Sequence, residues 1–407
     1  MKQASKATRR AFLEAATGLT ATALWSRVAA AGGPLGPSDE AGARALGTVP
    51  FVEEGRLPLE MTFGAGLGQR RILDLARLSG DQLVIPQDRF FIRTGTPDGL
   101  PAAAAWRVRL HGLVQAPLEI GAVELQRQAG DQGVHLLECA GNSRALHFGL
   151  MSAARWTGVP LSRVLERVRP LARATQILIS GFDEHTVEDA GSVPGASWIF
   201  GLDPIRASGA FLATGMNGAT LRPEYGFPLR LVVPGWYACT AIKWVNEIAF
   251  VDADAPATDQ MHEYAGRTHQ DPVGPRDLAL TQAGRRPEGP PLARDFQPAS
   301  IDPAALPVRV EKRIDAEGRI VYRVVGIQWG TVTPVPGLQI RFDAEQDWAP
   351  VEETGRVATG TWSLWSHTFR PKRPGRYRIE LQVTGAGVRT RRLDAGYYTR
   401  EIEIESV

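Results

Sequence analysis

From residue 308 to the end, the chain alternates apolar and polar residues in short runs broken by turn residues. The runs are 308–312, 319–326, 337–342, 361–369, 377–384 and 398–404. Alternation with a period of two belongs to a strand that buries one face. Several such strands at this spacing indicate an immunoglobulin-like β-sandwich. The stretch before it, 265–306, is dense in Pro, Gly, Arg and Asp and reads as a surface-wrapping linker. The domains expected are therefore 45–270, a linker at 271–306, and the sandwich at 307–407. At 407 residues with 43% hydrophobic and 22% charged side chains, two packed domains are well within reach.

The first domain is organised around Glu138-Cys139-Ala140-Gly141-Asn142-Ser143-Arg144. An apolar run at 134–137 leads into it and reads as a short buried strand. A strand ending in Cys and opening into a Gly-Asn turn is a rigid platform with one sulfur at its tip. That sulfur is a soft metal ligand when deprotonated, and nearby Arg144 favours the thiolate. Taken alone, a single Cys after a strand is more often an inert buried thiol. Other strands are expected at 88–94, 106–114, 176–182 and 229–233. Helices are expected near 123–128 and from Pro160 to 171, the latter with Leu161, Val164, Leu165 and Val168 on one face. Gly218 and Gly226 punctuate a hairpin-like connection.

The N-terminus carries an address. Thr8-Arg9-Arg10-Ala11-Phe12-Leu13 is a twin-arginine export motif. An apolar run too short to span a bilayer follows, then small residues at 28–31 suited to cleavage. Residues 1–31 thus read as a signal peptide and the mature protein as periplasmic, with no membrane span once it is cleaved. This leader holds five basic residues and one acidic, so its removal takes the formal charge from +2 to −2. No basic block of the kind nucleic-acid binding requires is present. The seven His show no zinc spacing, and no haem-attachment or serine-hydrolase motif occurs.

Three blocks in order carry a family likeness: the Cys139 stretch; Met216-Asn217-Gly218 through Tyr225-Gly226-Phe227-Pro228-Leu229-Arg230; and Pro234-Gly235-Trp236 through Ile242-Lys243-Trp244. Together they resemble the sulfite oxidase family of molybdenum–pterin enzymes over roughly residues 45–400. The fold class implied is α+β, a sulfite-oxidase-type molybdopterin-binding domain followed by an immunoglobulin-like domain used for dimerisation. The resemblance implies molybdenum bound to one pterin, with Cys139 as the protein's metal ligand and no haem of its own. Tyr225, Arg230, Ile242 and Lys243 match cofactor-binding positions, Tyr225 standing where the family has His. Arg93 and Arg144 match anion-binding positions, Trp156 a wall of the substrate site, and Tyr264 a Tyr pointing at the metal. Ala395 stands where sulfite oxidases carry a further anion-binding Arg, so either Arg391 or Arg392 substitutes or the substrate is bound differently.

The implied activity is oxidation of sulfite or a related sulfur anion, with electrons passed to a separate c-type cytochrome by a homodimer. Because Cys139 is assigned to metal, no disulfide with Cys239 is expected. A sulfoxide-type reductase of the same family and a non-catalytic exported scaffold remain as alternatives.

Overall fold

Alternation in the first part of the chain builds two five-stranded sheets. In a computed structural model, the described residues are 44–52, 54–185, 196–268, 292–330, 335–343, 346–356, 361–385, 387–388 and 390–405. The twin-arginine leader and most of the expected linker lie outside them. Strands are numbered β1–β21 in chain order.

One sheet holds β6 (Gly130–Glu138), β7 (Met151–Pro160), β10 (Phe211–Met216), β11 (Ala219–Thr220) and β12 (Arg230–Val232). Its order is β11-β10-β7-β6, with β12 also on β10, and all pairings are antiparallel. β10 and β11 are joined by Asn217-Gly218, both at positive φ (55° and 77°). A two-residue hairpin turn requires that conformation, and Asn-Gly supplies it without strain. The other sheet runs β5 (Leu118–Gly121), β4 (Arg107–Gly112), β13 (Val245–Val251), β8 (Gln176–Gly181), β9 (Ser197–Gly201). Only its β4–β13 pair is parallel. A two-stranded ribbon, β2 (Thr62–Phe63) with β3 (Arg70–Arg71), lies against Ile92 through an antiparallel bridge from Arg71.

The C-terminal part also forms two sheets. One runs β1 (Arg44–Val49), β14 (Ala304–Ile314), β15 (Ile320–Trp329), β19 (Trp362–Phe369), β18 (Glu352–Arg356). The other runs β17 (Ala349–Pro350), β16 (Leu338–Phe342), β20 (Gly375–Val383), β21 (Arg400–Ile404). Phe342 stacks on Phe369 across them at 3.7 Å, beside Tyr377. All six runs of alternation become strands here, whereas β1, exposed along most of its length, comes from the far end of the sequence.

The helices are short: α1 (Ala122–Gln128), α2 (Leu161–Leu165), α3 (Leu202–Ala207), α4 (Asp259–Glu263) and α5 (Arg391–Asp394). The architecture is dominated by sheets, so the helical half of the α+β expectation is small. The helix expected from Pro160 to 171 stops at Leu165; Pro170 bars its continuation to 171 and instead bridges to Val114. The strand expected at 88–94 is a correction. Phe90 and Phe91 are both buried, at 0% and 5% exposure, so the chain turns here rather than alternating.

The C-terminal sheets are tied to the first domain by polar anchors. Trp329 Nε1 donates to Glu138 Oε2 at 2.7 Å and Trp362 Nε1 to the Leu83 carbonyl at 2.8 Å. Both indoles are fully buried, which is stable only because each N–H has its partner. The described residues form one compact unit. Among them, no helix is long and apolar enough to cross a membrane.

Candidate active site

Strand β6 becomes progressively buried toward its end and delivers Cys139 into the interior at 4% exposure. The turn beyond it is held from both sides. The Asn142 amide N–H donates to the Cys139 carbonyl at 2.9 Å. Asn142 Nδ2 donates to the Phe148 carbonyl at 2.8 Å, and its Oδ1 accepts from Leu150 N at 3.0 Å. His147 and Phe148 are both left-handed (φ 50° and 55°), a conformation that costs energy for bulky residues and persists only where neighbours impose it. The Gly141 N–H points at Cys139 Sγ from 3.4 Å.

Cys139 opens onto a cleft. Seven of the residues singled out in the sequence line it: Arg93, Cys139, Tyr225, Arg230, Ile242, Lys243 and Tyr264. Arg144 and Trp156 are not part of this wall. Arg144 Nη2 instead donates to the Thr399 carbonyl at 2.6 Å. Trp156 is fully buried, edge-on to Phe90, with the Arg230 guanidinium 5.8 Å from its ring. It supports a wall residue rather than forming the wall.

The Arg144 geometry gives a direct test. Arg144→Gln is expected to leave KM for an anionic substrate within about threefold and to cost about 1 kcal/mol of stability, one hydrogen bond. Steady-state kinetics with thermal melts would check it, and a KM rise beyond tenfold would return Arg144 to the substrate site.

The cleft wall mixes charges, with Arg93, Arg230 and Lys243 set among Asp183, Glu224 and Glu263. Arg230 is buried; its Nη1 reaches the Tyr225 carbonyl at only 3.4 Å, and its Nε has no hydrogen-bond partner. Burial pushes its pKa down to about 10, so it remains charged at neutral pH. Lys243 Nζ donates to the carbonyls of Thr94 and Glu224 and lies 4.2 Å from the Trp244 ring. Burial and Arg230 push the Lys243 pKa well down, with Asp183 opposing. Gly226 allows the two to sit together: at φ 103°, a Cβ there would stand 3.1 Å from the Cβ atoms of both Arg230 and Lys243.

Tyr225 departs from the role expected of it. Its hydroxyl accepts from Arg71 Nη1 at 2.9 Å and faces the carbonyls of Gln87 (2.5 Å) and Phe90 (2.8 Å). With its single proton committed to those carbonyls, the phenol is not a donor to a ligand in the cleft. Tyr264 caps the end of α4, whose start is closed by Thr258 Oγ1 accepting from Met261 N. Burial raises the Tyr264 pKa against the lowering effect of Arg93, so its phenol stays protonated. Burial works against the Arg93 charge, but Tyr264, Cys139 and Glu263 around it raise its pKa overall.

Several site residues carried no sequence signal. Arg70 stands within electrostatic reach of Arg93, Cys139 and Tyr264, and burial with Arg93 lowers its pKa to about 10. Asp183, Glu224, Gln260 and Glu263 also line the cleft. So does Cys239, a free thiol whose pKa burial pushes well up. Arg392 points neither at the cleft nor at solvent. Its Nη2 donates to the carbonyls of Ala140 (3.1 Å) and Arg267 (3.3 Å), and Arg267 Nη1 also donates to Ala140 O at 3.1 Å. Two guanidiniums from distant stretches therefore clamp the carbonyl next to Cys139.

The comparisons with known proteins agree with this geometry. Residues 95–258 match the family model described as the oxidoreductase molybdopterin binding domain. The chain is 29% identical to a nitrate reductase [NADPH] of Emericella nidulans, over 72% of this chain and 37% of that protein. It is also 29% identical to the sulfite oxidase of Gallus gallus, over 47% of this chain and 44% of that protein. It spans less than half the length of either relative. The sulfane dehydrogenase SoxCD structure from Paracoccus pantotrophus superposes with a TM-score of 0.59, covering 96% of this chain and 98% of that one. At 17% identity that likeness is one of fold. Residues 95–258 thus carry an oxidoreductase molybdopterin binding domain, and the chain resembles the sulfite oxidase family of molybdopterin oxidoreductases.

The residues present fit the family's cofactor. Arg230, with an unpartnered buried Nε, and Lys243 form a cradle of N–H donors suited to an anionic pterin phosphate. Cys139 supplies a soft sulfur donor in the same cleft. Among the described residues, no three His, Cys, Asp or Glu side chains group as a metal site.

Proposed function

We propose that this protein oxidises sulfite or a related reduced sulfur anion, with Cys139 as ligand to molybdenum and Arg230 and Lys243 holding the pterin. The observation that carries the reading is one cleft that brings the Cys139 thiol together with Arg93, Arg230 and Lys243. When bound, the molybdenum–pterin group supplies two-electron redox and oxygen-atom chemistry that no side chain can. The polypeptide's part is binding and orientation. Arg93 offers charge-assisted hydrogen bonds to an anionic substrate and its anionic product. Tyr264, kept protonated, offers a neutral donor beside it. The turn after β6 holds the thiolate in place.

The twin-arginine motif supports a periplasmic location, and export with a cofactor already inserted suits such an enzyme. Electrons would then leave to a separate c-type cytochrome. The C-terminal pair of sheets is the surface proposed for homodimer formation. The names of two relatives support sulfur chemistry, sulfite oxidase and sulfane dehydrogenase. The Emericella nidulans relative brings nitrate reduction in as a competitor.

The test is sulfite-dependent reduction of cytochrome c or ferricyanide by protein of measured molybdenum content. Nitrate- and sulfoxide-dependent oxidation of a reduced dye would run alongside. Turnover of sulfite alone is the expected result. Turnover of nitrate or sulfoxide without sulfite would overturn the proposal and keep the cofactor.

A further inference from the structure

The segment from Gln87 to Thr94 supplies one wall of the cleft, through Phe91, Ile92, Arg93 and Thr94. It begins as a turn and not a strand, so no regular ladder satisfies its backbone polar groups. The carbonyls of Gln87 and Phe90 take their donor from far along the chain. Both face the Tyr225 hydroxyl, at 2.5 and 2.8 Å, and Gln87 O also meets Arg71 Nη1 at 3.4 Å. A phenol has one proton, and these two carbonyls share it.

Arg71 completes the arrangement. Its Nη1 donates to the Tyr225 hydroxyl at 2.9 Å, which turns the proton of that oxygen toward the carbonyls. Its Nε and Nη2 donate to Thr62 Oγ1, fixing the guanidinium. Its backbone exchanges two hydrogen bonds with Ile92, both at 3.0 Å. Arg71 therefore holds the segment directly at Ile92 and, by way of Tyr225, at the turn before it. The far end is held from the cofactor side, where Lys243 Nζ donates to the Thr94 carbonyl. Tyr225 is 1% exposed, and its ring stands edge-on to Phe90 at 5.5 Å. An imidazole in its place is shorter than a phenol and would fall short of both carbonyls.

We propose that Tyr225 is a positioning residue: with Arg71 it braces the turn at 87–90 and so sets the cleft wall that follows, rather than binding the cofactor. The brace rests on the sulfur-anion reading above for what that wall meets. It gives the tyrosine that stands where the family has histidine a task within this chain.

The experiment compares the wild type with Tyr225→Phe, Tyr225→His and Arg71→Met, each as full-length protein expressed with its cofactor. Molybdenum content, backbone amide exchange, and KM and kcat for sulfite are measured on each. Tyr225→Phe keeps the ring and removes the hydroxyl alone. Its molybdenum content should match the wild type. Exchange at Phe91 and Ile92 should quicken by about tenfold or more, because two buried carbonyls lose a donor and local opening becomes easier. KM for sulfite should rise about tenfold with kcat held within about threefold, the pattern of a displaced binding wall. Tyr225→His should behave as Tyr225→Phe does. Arg71→Met should loosen the same two amides, and supplies the reading should Tyr225→Phe fail to fold. Combined with Tyr225→Phe it should add little further. Molybdenum lost in Tyr225→Phe but kept in Tyr225→His would return Tyr225 to the cofactor and overturn the brace. A lower melting temperature with exchange and KM unchanged would also overturn it, leaving a hydroxyl that serves stability alone. Exchange is read without turnover, so the two proposals fail separately. A wild type inert to sulfite whose wall still loosens in Tyr225→Phe sinks the activity reading and keeps the brace.

Discussion

Cys139→Ser is expected to fold, retain much of its pterin, and lose activity by at least about a hundredfold. Even residues one step removed from a metal cost ten- to a hundredfold when changed, and a direct thiolate ligand should cost more. Folding should survive because the turn is held by Asn142 and the Ala140 carbonyl clamp, none of which uses the sulfur. Pterin retention should survive because Arg230 and Lys243 lie on other strands and loops. A serine hydroxyl is a harder, poorer donor than a thiolate, so thiolate-to-metal charge-transfer absorption should vanish as well. The measurement is turnover per molybdenum together with the visible spectrum. A variant with full activity per molybdenum and an unchanged spectrum would sink the ligand assignment. A variant that simply failed to fold is controlled by Cys239→Ser, which removes the other cleft thiol and should leave both spectrum and turnover intact.

The sequence made parts of this site legible for identifiable reasons. β6 and the Gly-Asn turn are local, and so is the Asn217-Gly218 hairpin, where residue type dictates backbone conformation directly. The C-terminal strands announced themselves by period-two alternation, and each one forms. Failures came where tertiary packing overrode pattern. The Phe90-Phe91 pair reads as strand but is buried on both sides of a turn. Tyr225 reads as a cofactor donor, but Arg71, 154 residues away, together with two carbonyls, takes its hydroxyl. Arg70 and Arg392 were beyond local reading altogether. Nothing in Gln69-Arg70-Arg71 marks Arg71 for Thr62 and Tyr225 and turns Arg70 back onto the Leu67 and Gln69 carbonyls. Arg144 sits two residues past the Gly141-Asn142 turn, yet its reach to Thr399 depends on where the C-terminal part of the chain comes to rest.

That dependence is sharpest at Arg392, whose replacement by methionine is expected to cost about 3–5 kcal/mol, the usual penalty for stripping a buried charge of its partner. Arg392 is 1% exposed and lies against the rings of Tyr237 (4.9 Å) and Tyr397 (5.6 Å), with Glu138 Oε1 3.8 Å from Nη1. Burial opposes its charge, but Tyr237, Tyr398 and Glu138 raise its pKa overall. Glu138 is the group left behind. Burial raises its pKa, and Arg392 is the largest influence opposing that rise, followed by the Trp329 N–H. Without Arg392 the carboxyl is driven further up. A carboxyl that binds its proton more tightly in the folded than in the unfolded chain stabilises the fold fully below the unfolded pKa. That contribution is lost as pH rises through the folded value. The gap between wild type and Arg392→Met should therefore be smallest in acid and widen from the ordinary glutamate range upward. Thermal or urea unfolding across that range measures it, and Glu138→Gln in the Arg392→Met background should recover most of the loss at neutral pH. A gap independent of pH, unrelieved by Glu138→Gln, would mean that the guanidinium acts on the Ala140 carbonyl alone. Either way the loss falls on the turn that presents Cys139, so stability and the placement of the thiolate should decline together.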